Sequence, residues 1–200
     1  MEPQKVDIPR SVGGVLKAHL YLTGMPVNST PFVIICHGFT GDKLEWGRFP
    51  ATAEALNRAG FDAVIFDFSG SGENVREPIT LFKQVQDLED AFAWVKAKGY
   101  SSISTIGLSF GGITSLFANL PDRKCAVFWA PAFYMKKIVG PVKIFFARLL
   151  GKVKKTPISI KSPGDHPPIP IDFSFMEELL QADNDENLRK FTLPSLIILG

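Results

Sequence analysis

A chain of 200 residues with 46% apolar, 12% aromatic and 21% charged side chains has enough apolar surface to close one core without a metal or disulfide staple, which excludes the disordered and fibrous classes. Twenty-two basic against twenty acidic residues leave a formal charge of +2, so global charge gives no argument for nucleic-acid binding. No apolar run approaches the ~18 residues of a membrane span and Met1 to Arg10 has no apolar stretch of a secretory signal, while Cys36 and Cys125 sit in apolar runs as small hydrophobes; a reducing, cytoplasmic setting is expected.

Val6 to Ile8, a Gly13-Gly14 turn and Val15 to Leu22 predict a hairpin, with Leu16, Ala18, Leu20 and Leu22 alternating onto one face and His19 facing solvent on the other. Phe32 to Cys36 is apolar throughout, the pattern of a strand buried on both faces, and it ends in His37-Gly38-Phe39-Thr40-Gly41. A helix over Pro50 to Ala59, closed by Gly60, leads into a second buried strand, Ala63 to Phe66, followed by Asp67-Phe68-Ser69-Gly70-Ser71-Gly72. Thr80 to Lys98 has Leu81, Val85, Leu88, Ala91, Phe92 and Val95 at helical spacing and stops at Gly99. A third buried strand, Ile103 to Leu108, runs into Ser109 and a helix from Phe110 to about Asn119; Cys125 to Trp129 and Ser195 to Leu199 are the last two strands. Apolar strands alternating with helices predict an α/β fold with a mostly parallel sheet covered on both faces.

Between Trp129 and Ser195 this rhythm breaks. Seven of the fifteen prolines fall between Pro131 and Pro170, no acidic residue occurs from Arg123 to Gly164, and seven acids with no Lys or Arg occur from Asp165 to Glu186. Residues 1–130 and 191–200 therefore read as the core and 131–190 as a cap or lid insertion. Pro141 to Val153 places Val142, Phe145, Phe146, Leu149, Leu150 and Val153 on one side of a helix and Lys143, Arg148, Lys152 and Lys154 on the other. Such a basic amphipathic helix covers a cleft or touches a lipid surface. Phe173 to Leu188 reads as an acidic helix able to pair with it.

Gly107-Leu108-Ser109-Phe110-Gly111 is a G-x-S-x-G between a predicted strand and a predicted helix. Small residues two before and two after the serine permit a turn tight enough to force its side chain out at the carboxyl end of the sheet, beside the positive end of the helix. The same serine read blandly is a helix cap; the strand before, the helix after and the companion loops favour a nucleophile. Gly70-Ser71-Gly72 is no dinucleotide fingerprint, because Val75 stands where the third glycine belongs, and Gly38 to Lys43 lacks the spacing and hydroxyl of a phosphate loop. Asp67 reads as a turn residue that fixes its loop by hydrogen bonds.

With these three loops in this order, essentially the whole chain resembles the α/β-hydrolase superfamily. The HGFTG form followed by Lys43, together with the proline-rich insertion after Ala130-Pro131, is most similar to its serine aminopeptidase-like and small acyl-ester (cinnamoyl or feruloyl esterase-like) branch. The resemblance implies Ser109 as nucleophile, the backbone N–H groups of Phe39 and Phe110 as the oxyanion hole, His37 as a structural organiser of the oxyanion loop, and no cofactor or metal. It also implies an acid after the strand Ser195 to Leu199 and a histidine after one further strand. The catalytic Asp and His are thus expected beyond Gly200, in roughly 50 further residues given about 30 for one strand-helix-strand unit. Within the 200 residues only His166 follows Ser109, placed to line the substrate pocket or, as a substitute, to act as base; Asp165 and Asp172 follow no strand of the predicted sheet. The apolar strand ending the chain leaves a sheet edge exposed, which fits a piece of a hydrolase of roughly 250 residues.

The expected function is a carboxylesterase-like serine hydrolase cleaving a small-molecule acyl ester through an acyl-enzyme. The alternatives are a serine aminopeptidase-type peptidase, a lipid acyl-ester hydrolase and, outside enzymes, a truncated, catalytically inactive binding protein. Oligomeric state has no sequence signature here.

Overall fold

The computed structural model describes residues 2–134, 158–162, 165–171, 173–182 and 184–199. The hairpin forms as β1 (Gln4–Pro9) and β2 (Val15–Tyr21), and the apolar runs as β3 (Phe32–Cys36), β4 (Asp62–Phe66), β5 (Ile103–Leu108), β6 (Ala126–Trp129) and a last strand, Ser195–Ile198. These make one seven-stranded sheet in the order β1-β2-β4-β3-β5-β6 and then the last strand. The β1–β2 and β2–β4 pairs are antiparallel, and the remaining pairs are parallel. The α/β-hydrolase architecture implied by the sequence is therefore present: a mostly parallel sheet entered through an antiparallel hairpin, with an insertion after β6.

The unbroken apolar strands follow from coverage on both faces. Ile34 and Cys36 of β3 and Val64 and Phe66 of β4 pack with Leu88, Phe92 and Val95 of the helix α2 (Leu81–Ala97). The alternate residues, Val33, Ile35, Ala63 and Ile65, pack with Phe49 and Ala53 of α1 (Arg48–Arg58) on the opposite face. A strand with helices on both sides needs apolar residues at every position rather than every second one. Thr80 caps α2, its hydroxyl accepting from Lys83 N–H, as the sequence boundary suggested.

Three boundaries differ from expectation. Helix α1 starts two residues before Pro50, directly after Gly47 at φ 86°; the left-handed glycine sets the start, and Pro50 sits inside the first turn where its missing N–H costs nothing. Helix α3 (Phe110–Phe117) ends short of Asn119 because Ala118 is extended. The single acidic helix predicted over Phe173 to Leu188 is two, α4 (Phe173–Gln181) and α5 (Asn184–Lys190). The Asn184 side-chain amide donates to the Phe133 carbonyl, a tertiary bond that fixes the start of α5. Asp185 and Glu186 in the first turn of α5 and Arg189 and Lys190 in its last then suit the helix dipole of a separate helix.

A two-stranded antiparallel hairpin, β7 (Ile158–Ile160) with β8 (Ile169–Ile171), was not anticipated; three-residue strands carry too little periodicity to read. The strand Ser195–Ile198 thus becomes β9, at the end of the sheet, with Leu196, Ile197 and Leu199 exposed. Ile169 and Ile171 of β8, Phe175 and Leu179 of α4 and Ala182 share one apolar cluster with Phe110, Ile113 and Leu116 of α3 and with Ala126 and Phe128 of β6. This part of the insertion is packed onto the core. The predicted amphipathic helix Pro141 to Val153, and any pairing with it, lies outside the described residues.

Candidate active site

The carboxyl ends of β3, β4 and β5 bring the three sequence loops together. At the end of β5, Ser109 takes φ 51° and ψ −111°, left-handed backbone that an L-residue adopts only when its surroundings impose it. They do so through the glycines. A methyl group on Gly107 would sit 2.5 Å from the Gly111 carbonyl oxygen, and one on Gly111 2.5 Å from the carbonyl oxygens of Cys36 and His37. Strand, elbow and helix can approach this closely only without side chains. The elbow is also tied to the end of β6: Ser109 N–H donates to the Trp129 carbonyl at 2.8 Å, and its own carbonyl accepts from Gly112 and Ala132 N–H at 3.1 Å each.

The loop after β3 lies against this elbow, since a carbon placed on Gly38 would meet Ser109 Cβ at 3.4 Å. His37 is buried with both ring nitrogens engaged. Nε2 accepts from Phe68 N–H at 3.0 Å, which places the proton on Nδ1, and Nδ1 donates to the Gly38 carbonyl at 2.8 Å. It joins the loops after β3 and β4, the organising role the resemblance implied. Phe39 and Phe110, the residues whose N–H groups were expected to form the oxyanion hole, meet edge to face with ring centroids 5.8 Å apart.

Between Phe39 and α1 the chain is held in costly conformations, with positive φ at Thr40 (58°), Glu45 (42°) and Trp46 (54°). Glu45 and Asp42, which the sequence did not single out, hold it there together with Lys43 and Asp67, which it did. Buried Glu45 accepts Gly38 N–H at 3.1 Å, and Asp42 Oδ1 accepts Leu44 and Glu45 N–H at 2.8 and 3.1 Å. Lys43 Nζ reaches Asp67 at 2.7 Å with both groups buried, and extends to Glu73 at 3.2 Å. The Asp67 carboxylate also accepts Lys43 N–H at 2.7 Å and Glu73 N–H at 3.0 Å. Asp67 therefore ties its loop as expected, and its partner Lys43 turns that tie into a buried ion pair between the two loops. Only a lysine 24 residues upstream signals this pair, and nothing in the sequence links the two.

Beneath the β4 loop, buried Asp87 of α2 accepts Ser69 N–H at 2.8 Å and the Arg10 guanidinium at 3.0 Å; burial raises its pKa despite these partners. Behind α3, the Arg123 guanidinium donates to the carbonyl and hydroxyl of Ser115 at 2.7 and 3.0 Å, and burial lowers its pKa to about 10.

His166, expected to line the pocket, places Nε2 3.8 Å from Asp42 Oδ2, in the loop after β3. The segment around it is fastened by Arg76, whose Nε donates to the Pro167 carbonyl at 3.0 Å and Nη1 to the Gly70 carbonyl at 2.8 Å. Asp165 is exposed, and Asp172 lies outside the described residues.

His19 is half-buried rather than solvent-facing. It lines a groove of about 470 Å³ with Lys5, Asp7, Lys17 and Glu73, and burial, followed by the charge of Lys43, lowers its pKa below the ordinary 6.5. The unfolded chain therefore binds this proton more readily than the folded one, so the folded state loses stability as pH falls from 6.5 towards the lowered value and no further below it. Replacing His19 with Gln is expected to flatten the dependence of the denaturation midpoint on pH just below 6.5, and an unchanged slope would assign that dependence elsewhere.

Among the described residues no cluster of three His, Cys, Asp or Glu side chains could hold a metal ion, and no helix is long and apolar enough to cross a membrane.

A family profile described as serine aminopeptidase, S33, matches residues 28–192. An uncharacterized 31.7 kDa protein from the traX-finO intergenic region of Escherichia coli is 33% identical over 104 residues, 48% of this chain and 36% of that protein. A carboxylesterase of Bacillus subtilis (strain 168) is 33% identical over 92 residues, 42% of this chain and 34% of its own. The matched stretch thus spans about a third of the length of these curated relatives. Among solved structures, Est1E from Butyrivibrio proteoclasticus with bound ferulic acid superimposes with a TM-score of 0.74 and 24% identity, covering 96% of this chain and 77% of that one.

Proposed function

We propose that this chain, which belongs to the serine aminopeptidase S33 family of α/β-hydrolases, provides the nucleophile and oxyanion hole of a carboxylesterase-like serine hydrolase acting on a small acyl ester. The observation that carries this reading is the elbow, in which Ser109 is held at φ 51° and Gly38 packs against it. Ser109 Oγ attacks the acyl carbon as a base takes its proton, and the Phe39 and Phe110 N–H groups hold the oxygen that becomes negative. Collapse breaks the ester C–O bond, the alcohol leaves with that proton, and water then releases the acid and regenerates the serine. Each oxyanion donor contributes on the order of 3 kcal/mol to lowering the barrier.

His37 is not the base, since both its nitrogens are committed to loop backbone. The base and its acid are proposed to come from chain beyond Gly200. Residues 131–190 are proposed as the cap that shapes the substrate pocket. The ferulic acid held by the Butyrivibrio structure and the carboxylesterase relative favour an ester, with an aromatic acyl group among those to assay. The family description favours a second reading, an aminopeptidase.

Fluorophosphonate labelling in an extract of the source cells, with peptide mapping and intact mass, tests the proposal. Label is expected on the Ser109 peptide; a folded protein that takes none would overturn it. Turnover of p-nitrophenyl butyrate or feruloyl esters in preference to aminoacyl-arylamides selects the esterase reading, and the reverse preference selects the peptidase.

A further inference from the structure

We propose that the insertion clamps the oxyanion loop from above, with Phe175 of α4 and His166 as positioning residues for the Phe39 N–H; this rests on the reading of Phe39 as an oxyanion donor. The loop has an intrinsic reason to move. Thr40, Glu45 and Trp46 are held at positive φ, conformations that relax unless surrounding contacts over-determine them.

The contacts bracket the Phe39 to Asp42 turn at both ends. At one end, the Phe175 ring stacks on Phe39 at 5.0 Å between centroids and 21° between planes, and lies 5.6 Å from Phe110. Phe39, Phe110 and Phe175 thus form a three-ring cluster, with Phe110 and Phe175 buried. The two residues assigned as oxyanion donors are joined to each other through their side chains, and the third ring of that joint comes from the insertion. Because only φ, χ1 and χ2 separate each phenyl ring from the peptide plane of its own N–H, immobilising the ring restricts where that N–H can point.

At the other end, His166 Nε2 lies 3.8 Å from Asp42 Oδ2. Asp42 Oδ1 holds the N–H groups of Leu44 and Glu45, and Glu45 in turn holds Gly38 N–H, one residue before Phe39. A shift of the insertion is therefore transmitted to the oxyanion loop through the Phe175 ring, with His166 set beside the Asp42 end of the same turn. The insertion is itself anchored to the β4 loop, by Arg76 on the Pro167 carbonyl at 3.0 Å and by Ile79 N–H on the Pro170 carbonyl at 3.3 Å. The insertion is thus tied to the core beside the clamp as well.

The test compares two truncations on the same helix in protein expressed from its complete gene. Phe175→Ala removes the ring on Phe39; Leu179→Ala removes apolar bulk from the same buried cluster one turn later and serves as the packing control. Both are expected to lower the melting temperature. Only Phe175→Ala is expected to lower kcat for p-nitrophenyl butyrate, by about tenfold to a hundredfold with KM within about twofold, since a displaced donor is lost mainly in the transition state. It alone is also expected to speed amide hydrogen exchange in peptides covering residues 38–46. Should Phe175→Ala fail to fold, Phe175→Leu, which keeps the bulk and removes the ring face, is expected to show the same split at smaller amplitude. Equal effects of the two truncations on kcat and on loop exchange would overturn the clamp. Failure of the underlying assignment has a different signature, a wild-type protein that takes no fluorophosphonate at Ser109.

Discussion

Replacing Ser109 with alanine is expected to lower ester hydrolysis by at least about four orders of magnitude, because the groups around a missing nucleophile retain only a small share of the rate enhancement. The more informative partner is Ser109→Gly, expected to be as inactive and yet more stable than the wild type. Ser109 sits at φ 51° and ψ −111°, where a side chain costs about 1–3 kcal/mol of strain. Glycine removes most of that strain at the expense of about 0.5–1 kcal/mol of added chain entropy in the unfolded state. A net gain of about 1 kcal/mol should appear as a raised urea midpoint with unchanged slope. A less stable Ser109→Gly would mean that the elbow is a comfortable turn, and would remove the strain that distinguishes a displayed nucleophile from a helix cap.

Breaking the buried Lys43–Asp67 pair is expected to cost about 3–5 kcal/mol when Asp67 is replaced by alanine, because the Lys43 ammonium is left in the interior without its closest counter-charge. That is a large part of the about 5–15 kcal/mol by which domains of this size are stable. The effect is asymmetric. Lys43→Met leaves Asp67 with the N–H donors of Lys43 and Glu73, so it is expected to cost less, about 1–3 kcal/mol. The double variant Lys43→Met, Asp67→Ala should recover part of the loss, since neither charge is then stranded. Urea denaturation of the three proteins measures all of this. Equal losses in both single variants would overturn the asymmetry, and a double variant as unstable as their sum would show that the two groups act independently. Since Lys43 and Asp67 join the loop after β3 to the loop after β4, Asp67→Ala should also lower kcat by displacing the Phe39 N–H.

The loop after β3 shows where a sequence pattern stops being informative. His37-Gly38 and Lys43 stand out as motif residues, yet their roles depend on Phe68, Glu45 and Asp67, which come from elements up to 31 residues away. The same limit applies to His166. Its position in the chain reads as that of a pocket residue or a substitute base, and its place beside Asp42 comes from a hairpin too short to leave a periodic trace. The bond from the Asn184 side chain at the start of α5 to the Phe133 carbonyl is likewise one that no local preference encodes.

By itself the sequence determined the layered α/β architecture, since strands apolar at every position can only be covered on both faces and the helical repeats between them supply the covers. It also determined the elbow, because only glycine at 107 and 111 leaves room for β5, α3 and the end of β3 to meet around Ser109. The tertiary structure alone decided which side chains hold the loop after β3 in its strained path and where the insertion touches it. Local pattern records burial and turn sterics. A hydrogen bond, an ion pair or a ring stack between distant residues depends on distances that exist only after the chain has folded.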